Sequence, residues 1–192
     1  MIESFTANFY CLQPGEAVND QLTQCGTDQI AAVCCAWLQE THFRYFGRAD
    51  DNLSGATIAT ALEILEIPSP AVTTDPGFGS SHHSVDFQQS KPSRSVQQWL
   101  EENPSHLAFR ERFIECLRKW TSMLAATRLP AAHNTVNILI VAPWANAAVI
   151  DPVVLGDLDQ AGLVKYVLTA SLGNYLETSM ESASIIFEGY RY

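Results

Sequence analysis

Val136-Asn137-Ile138-Leu139-Ile140-Val141-Ala142 is the most strand-like stretch of this 192-residue chain. A near-continuous apolar run of this length predicts a central strand of a parallel sheet, buried on both faces. Working outward, Phe5 to Leu12 is rich in aromatic and β-favouring residues and predicts a first strand, ended by the turn signal Gln13-Pro14-Gly15. A helix is expected after the cap candidate Thr27, with Ile30, Val33, Cys34, Trp37 and Leu38 at helical spacing. His42 to Phe46 predicts a short strand, and Ser54 to Leu65 a second helix. Two further helices are expected, one from Ser95 to Glu102 and a longer one after the cap candidate Ser105. The longer one carries Phe113, Ile114, Leu117, Trp120 and Leu124 on one face. Ala145 to Leu155 and Gly162 to Ala170 read as helices, and Ser182 to Glu188 as the last strand. Alternating strands and helices predict a three-layer α/β/α sandwich around a mainly parallel sheet. The length suits one domain over residues 1–192, with no repeat or linker standing out. Residues 68–95, rich in Pro, Gly and Ser, read as a long loop or lid excursion.

Composition removes several function classes. Lys and Arg number 11 against 21 Asp and Glu, a formal charge of -10. Nucleic acid and anionic membrane surfaces both require a cationic face, so neither is expected as a partner. No apolar run reaches the ~18 residues that cross a bilayer, and no secretory signal is visible. The five cysteines are odd in number and include no Cys-x-x-Cys pair. Neither a disulfide framework nor a zinc site is therefore expected, and the thiols read as reduced in a cytoplasmic protein. No metal or cofactor is implied by any motif.

Several segments, in order, resemble the histidine phosphatase superfamily, whose fold is also called phosphoglycerate mutase-like. That family opens with a strand ending in Arg-His-Gly-Glu, where this chain has Gln13-Pro14-Gly15-Glu16. The family's Leu-Thr-x-x-Gly-x-x-Gln-Ala segment is matched closely by Leu22 to Ile30. Its Leu-x-Arg-Ala-x-x-Thr-Ala helix start is matched in outline by Leu53 to Thr60. Its apolar strand followed by His-Gly corresponds to Ile138 to Ala142 followed by Pro143-Trp144. Ser184 to Glu188 resembles its final strand.

The resemblance implies phosphotransfer through a histidine nucleophile, two arginines, a second histidine and a carboxylic acid. Carried over, the nucleophile's place holds Pro14 and its neighbouring arginine's place holds Gln13. The second arginine falls at Gly55, beside Ser54, and the second histidine at Pro143. The acid belongs in the excursion, where Gly79, Ser80 and Ser81 supply no carboxylate. Proline cannot attack phosphorus, and glutamine carries no charge. The expected reading is a pseudophosphatase with an interaction or regulatory role, binding a protein partner, a second copy or a small molecule.

The alternatives are an enzyme of different chemistry on an uncharged substrate and a residual phosphate-ester binder. Pocket-lining candidates are Gln13, Glu16, Arg48, Ser54, His82, His83 and Trp144. Arg48, in an inserted segment, is the cation able to swing into the old phosphate site. His82-His83 with Asp86 is a conspicuous cluster, yet adjacent residues on an extended chain point opposite ways and read as a solvated loop. Cys11, Cys34-Cys35, Trp37, Trp99 and Trp120 read as core. Trp144, at a strand's C-terminal end, stands on the usual ligand edge of an α/β sheet.

Overall fold

The structure, a computed structural model, describes residues 3–79, 104–127, 134–143, 162–172 and 176–187. Strand β1 (Glu3–Leu12) leads through a small hairpin, β2 (Ala17–Val18) and β3 (Gln21–Leu22), into helix α1 (Gln24–Val33). The helix widens into a π-helical turn over Cys34–Leu38. Strand β4 (Tyr45–Arg48), helix α2 (Asn52–Ile64), strand β5 (Val72–Thr74) and a 3-10 turn (Pro76–Phe78) follow. Helix α3 (Pro104–Ala126), strand β6 (Thr135–Val141) and the pair β7 (Leu163–Leu172) and β8 (Leu176–Phe187) complete the described elements.

Six strands form one sheet in the order β5-β4-β6-β1-β7-β8. β5, β4, β6 and β1 are parallel, while β7 and β8 are added antiparallel. The expected mixed α/β layering around a mostly parallel sheet is therefore present. β6 sits where its apolar run requires, between β4 and β1.

The two-residue period of the strands sorts the core by face. Phe9 and Cys11 of β1, Ile138 and Ile140 of β6, and Val164 and Tyr166 of β7 pack toward α3. Leu12, Leu139, Val141 and Leu163 pack toward α1 and α2. The α3 side is aromatic: Phe113 lies 5.7 Å from Phe78 and 5.6 Å from Tyr166, and Phe78 lies 5.5 Å from Trp120, centroid to centroid. Each such side chain, fully buried, contributes about 2 kcal/mol through lost apolar surface.

Several expectations are corrected. Gly162 to Ala170 is not a helix but most of β7. Val164, Tyr166, Leu168 and Ala170 are buried at a strict period of two, and Val164, Val167 and Thr169 are β-branched. Thr27 lies inside α1, whose cap is Thr23: its hydroxyl accepts from the Gly26 amide at 3.0 Å. The second strand is Tyr45–Arg48 rather than 42–46. Three residues of the 68–95 excursion, Val72–Thr74, join the sheet as β5. α3 starts at Pro104, ahead of Ser105, with proline at the first position where its missing amide costs nothing. Trp37 is 49% exposed and belongs to the surface, whereas Trp120 is core. The helices expected at 95–102 and 145–155 lie outside the described residues.

Candidate active-site edge of the sheet

The parallel strands β1, β4 and β6 end side by side. Leu12 is level with Val141, Val141 with Arg48, and Arg48 with Thr74. The row is extended by one residue on each side of β6. The Ala142 amide donates to Leu12 O at 3.1 Å, and the Ala49 amide to Val141 O at 2.9 Å. Gln13-Pro14, Ala49 to Asp51 and Pro143 therefore leave the sheet at one common edge, the edge where open α/β sheets bind ligands.

The exit from β1 is fastened to the start of α1. Glu16 Oε1 accepts from the Thr23 hydroxyl at 2.8 Å, and the Thr23 amide donates to Glu16 O at 3.0 Å. The Glu16 amide donates to Gln29 Oε1 at 2.9 Å. Beneath these bonds Gly15 and Gly26 lie backbone on backbone. A Cβ on Gly15 would stand 2.8 Å from the Gly26 Cα, and one on Gly26 would stand 2.8 Å from the Glu16 amide nitrogen. Neither glycine has a positive φ, so the requirement is for space rather than for a left-handed backbone. Gly15, Glu16, Thr23, Gly26 and Gln29 are all positions at which this chain matches the family motifs quoted above. Glu16 thus has a structural role at the β1 exit.

The exit from β4 is built differently. Asp51 caps α2: its Oδ1 accepts from the Ser54 amide at 2.7 Å and its Oδ2 from the Ser54 hydroxyl at 2.8 Å. Ser54 is fully buried in this role. Arg48 is the last residue of β4, not part of an inserted segment. Its Nη1 donates to Asp51 O at 3.0 Å and to Ala49 O at 3.2 Å. The same Nη1 lies 3.0 Å from where a Cβ on Gly55 would sit. A guanidinium thus covers the helix position that the resemblance assigns to the second arginine, but it comes from the strand.

Gln13 is 5% exposed, its amide donating to Gly162 O at 2.9 Å. Pro14 is buried and Pro143 half-buried. The structure brings Gln13, Pro14, Arg48, Gly55 and Pro143 to one edge. His82, His83, Asp86, Trp99 and Trp144 lie outside the described residues.

At the exit of β5 stands a residue that the sequence reading passed over. Asp75 accepts from Trp120 Nε1 and from the Gly77 amide, both at 2.9 Å, tying the edge strand to α3. Burial alone would raise its carboxyl. The Trp120, Gly77 and Cys116 donors and nearby Lys119 outweigh that and hold it below the usual carboxylate range. Pro76 and Gly77 made the segment read as loop, which gave no sign of the partner. Arg112 on α3 donates to Gly79 O at 2.6 Å.

The cysteines are unpaired, with Cys11, Cys34 and Cys116 buried and Cys25 and Cys35 exposed. Burial pushes the Cys11 thiol well up, and the Cys116 thiol is pushed to about 12 by burial and by Asp75. Neither supplies a thiolate nucleophile near neutral pH. Among the described residues no group of three or more His, Cys, Asp and Glu is placed to hold a metal ion. No described helix is long and apolar enough to cross a membrane.

No family model matches this chain, and no curated protein matches it by sequence. Solved structures do match it. A phosphoglycerate mutase from Bacillus anthracis superposes with a TM-score of 0.59 at 14% identity, covering 86% of this chain and 89% of that one. A mycobacterial hydrolase gives 0.56 at 14% identity, over 95% and 91% of the two chains. A mycobacterial glucosyl-3-phosphoglycerate phosphatase gives 0.53 at 15%, over 92% and 97%. At identities this low the likeness shows the fold alone, and that fold is phosphoglycerate mutase-like.

Proposed function

We infer that this chain keeps the phosphoglycerate mutase-like scaffold without its phosphotransfer chemistry and acts by binding, in an interaction or regulatory role. One observation carries the reading. The motif residues it retains fasten the β1 exit to α1, while the phosphate-handling positions hold Gln13, Pro14, Gly55 and Pro143. Among the described residues at this edge, a phosphoryl dianion would meet one guanidinium, Arg48, with Asp50 and Asp51 following it in the chain. Removing a single charge-stabilising donor typically costs about 3 kcal/mol of transition-state stabilisation. Removing the set together with the nucleophile leaves no route to the covalent intermediate. Free thiols on the described cysteines favour a reducing, cytoplasmic setting. A protein partner or a second copy is the occupant that the interaction role implies.

The test is a thermal-shift titration with phosphate, vanadate and a panel of phosphate monoesters, beside a phosphatase assay. Ligand at tenfold its Kd would stabilise the fold by about 1.4 kcal/mol, a readable rise in Tm. No shift and no turnover are expected. A saturable vanadate shift or measurable turnover would overturn the reading.

A further inference from the structure

The cation at the sheet edge does not reach it from the helix position. Arg48 ends β4, level with Val141 and on the α2 side of the sheet, and its guanidinium fills the space that Gly55 leaves open. Nη1 is committed, donating to the carbonyls of Ala49 and Asp51. Those two bonds fix the orientation of the guanidinium plane. Nε and Nη2 have no partner among the described residues. The two share one edge of the guanidinium, and their N–H groups are spaced to meet the two oxygens of a carboxylate in parallel.

The surrounding charge selects among anions. A phosphate monoester brings nearly two negative charges near neutral pH, and a carboxylate brings one. One guanidinium neutralises one charge. Gln13, Pro14, Gly55 and Pro143 supply no other, Asp50 and Asp51 adjoin it, and the chain as a whole stands at -10.

We propose that Arg48 is a binding residue for a single carboxylate group, held fork to fork on Nε and Nη2 at the C-terminal edge of the sheet. The inference rests on the binding reading above and names the ligand chemistry for it. The group can belong to a small carboxylic acid or to the C-terminus of a peptide.

The test follows the Arg48 Nε–H resonance by nitrogen-edited NMR during four titrations. These use acetate, trialanine with a free C-terminus, the same peptide amidated, and inorganic phosphate. Saturable shifts with acetate or acid trialanine, and none with the amide, are expected. Tighter binding of the acid tripeptide than of acetate assigns a peptide terminus, and equal binding a free acid. Arg48→Gln should weaken the bound carboxylate about ten- to a hundredfold. Arg48→Lys keeps the charge and a donor for the two carbonyls but loses the fork, and should weaken it by a similar factor. Gly55→Ala, which moves the guanidinium while leaving it in the chain, should weaken it less.

No Arg48 shift with either carboxylate, phosphate also inert, overturns the carboxylate assignment and leaves the binding reading standing. Phosphate binding at Arg48 more tightly than acetate overturns both.

Discussion

Two loops leave the same edge of the sheet, and each lies against a glycine near the start of the following helix. After β1, Gly26 is covered by the backbone of Gly15 and Glu16. After β4, Gly55 is covered by the far end of the Arg48 side chain. The backbone at Gly26 stands closer than the guanidinium at Gly55, and the two coverings also differ in what can yield. Backbone held by the Glu16, Thr23 and Gln29 bonds has nowhere to go. A guanidinium on a flexible stem can shift by a few tenths of an ångström. The β1 exit is therefore a rigid structural joint, and the β4 exit is a place where sequence can change without loss of the fold.

The largest expected effect comes from Gly26→Ala. Its Cβ would press on the Glu16 amide nitrogen and carbonyl. No side chain can rotate away, so the loop must separate from α1 and break the Glu16–Thr23 bonds. Overpacking of this kind costs about 3 kcal/mol, read as a drop in the urea midpoint at unchanged slope. A loss below about 1 kcal/mol would mean that the joint is looser than its geometry.

Next comes Asp75→Asn at the third exit. A carboxylate accepts from Trp120 Nε1 and the Gly77 amide at once. An amide offers one oxygen and turns its NH2 against the other donor. The expected cost is about 2 kcal/mol near pH 7. Because the folded carboxyl is held below its usual value, its contribution is present in full above about pH 4 and fades as pH falls through the folded value. The gap between wild type and variant should close in acid. A gap that stays constant from pH 7 to pH 3 would assign the loss to shape rather than charge.

Thr23→Ala removes the cap of α1 and the hydroxyl that meets Glu16 Oε1. About 1 kcal/mol should be lost. The double variant with Gly26→Ala should lose less than the sum of the two single losses, since both open the same joint. Simple additivity would show that cap and glycine contact are independent.

The sheet was more legible in the sequence than the site, for physical reasons. β6 is buried on both faces over Ile138 to Val141, so its apolar run announces it, and the aromatic and β-favouring residues of β1 mark that strand. β7 is amphipathic and short of turn signals. Its Leu163-Val164…Val167-Leu168 spacing satisfies a helical period as well as a strand's, and only its place beside β1 decides. The cap of α1 was misplaced by one turn, because Thr23 and Thr27 are both threonines and only the Gly26 amide chooses between them. At the edge, Gln13, Pro14, Gly55 and Pro143 could be placed from the order of the matched segments. What stands over Gly55 could not, because Arg48 precedes it by seven residues and reaches it through the turn between β4 and α2. Asp75 was missed for the same reason: its partner Trp120 is 45 residues away.

The smallest effect expected is from Gly55→Ala, and its sign is the sharpest test of the comparison. Gly55 lies in the first turns of α2, where alanine gains helix propensity and restricts the unfolded chain. Against that gain, the new methyl stands 3.0 Å from Arg48 Nη1 and must move it. A side-chain terminus yields at little cost, although its bonds to Ala49 O and Asp51 O lengthen. The net should be a stabilisation of about 0.5 kcal/mol in urea denaturation. A loss comparable to that of Gly26→Ala would mean that the guanidinium is as fixed as the backbone at the other exit. The two loops would then be equivalent joints, and Arg48 a structural strut rather than a group free to receive a ligand.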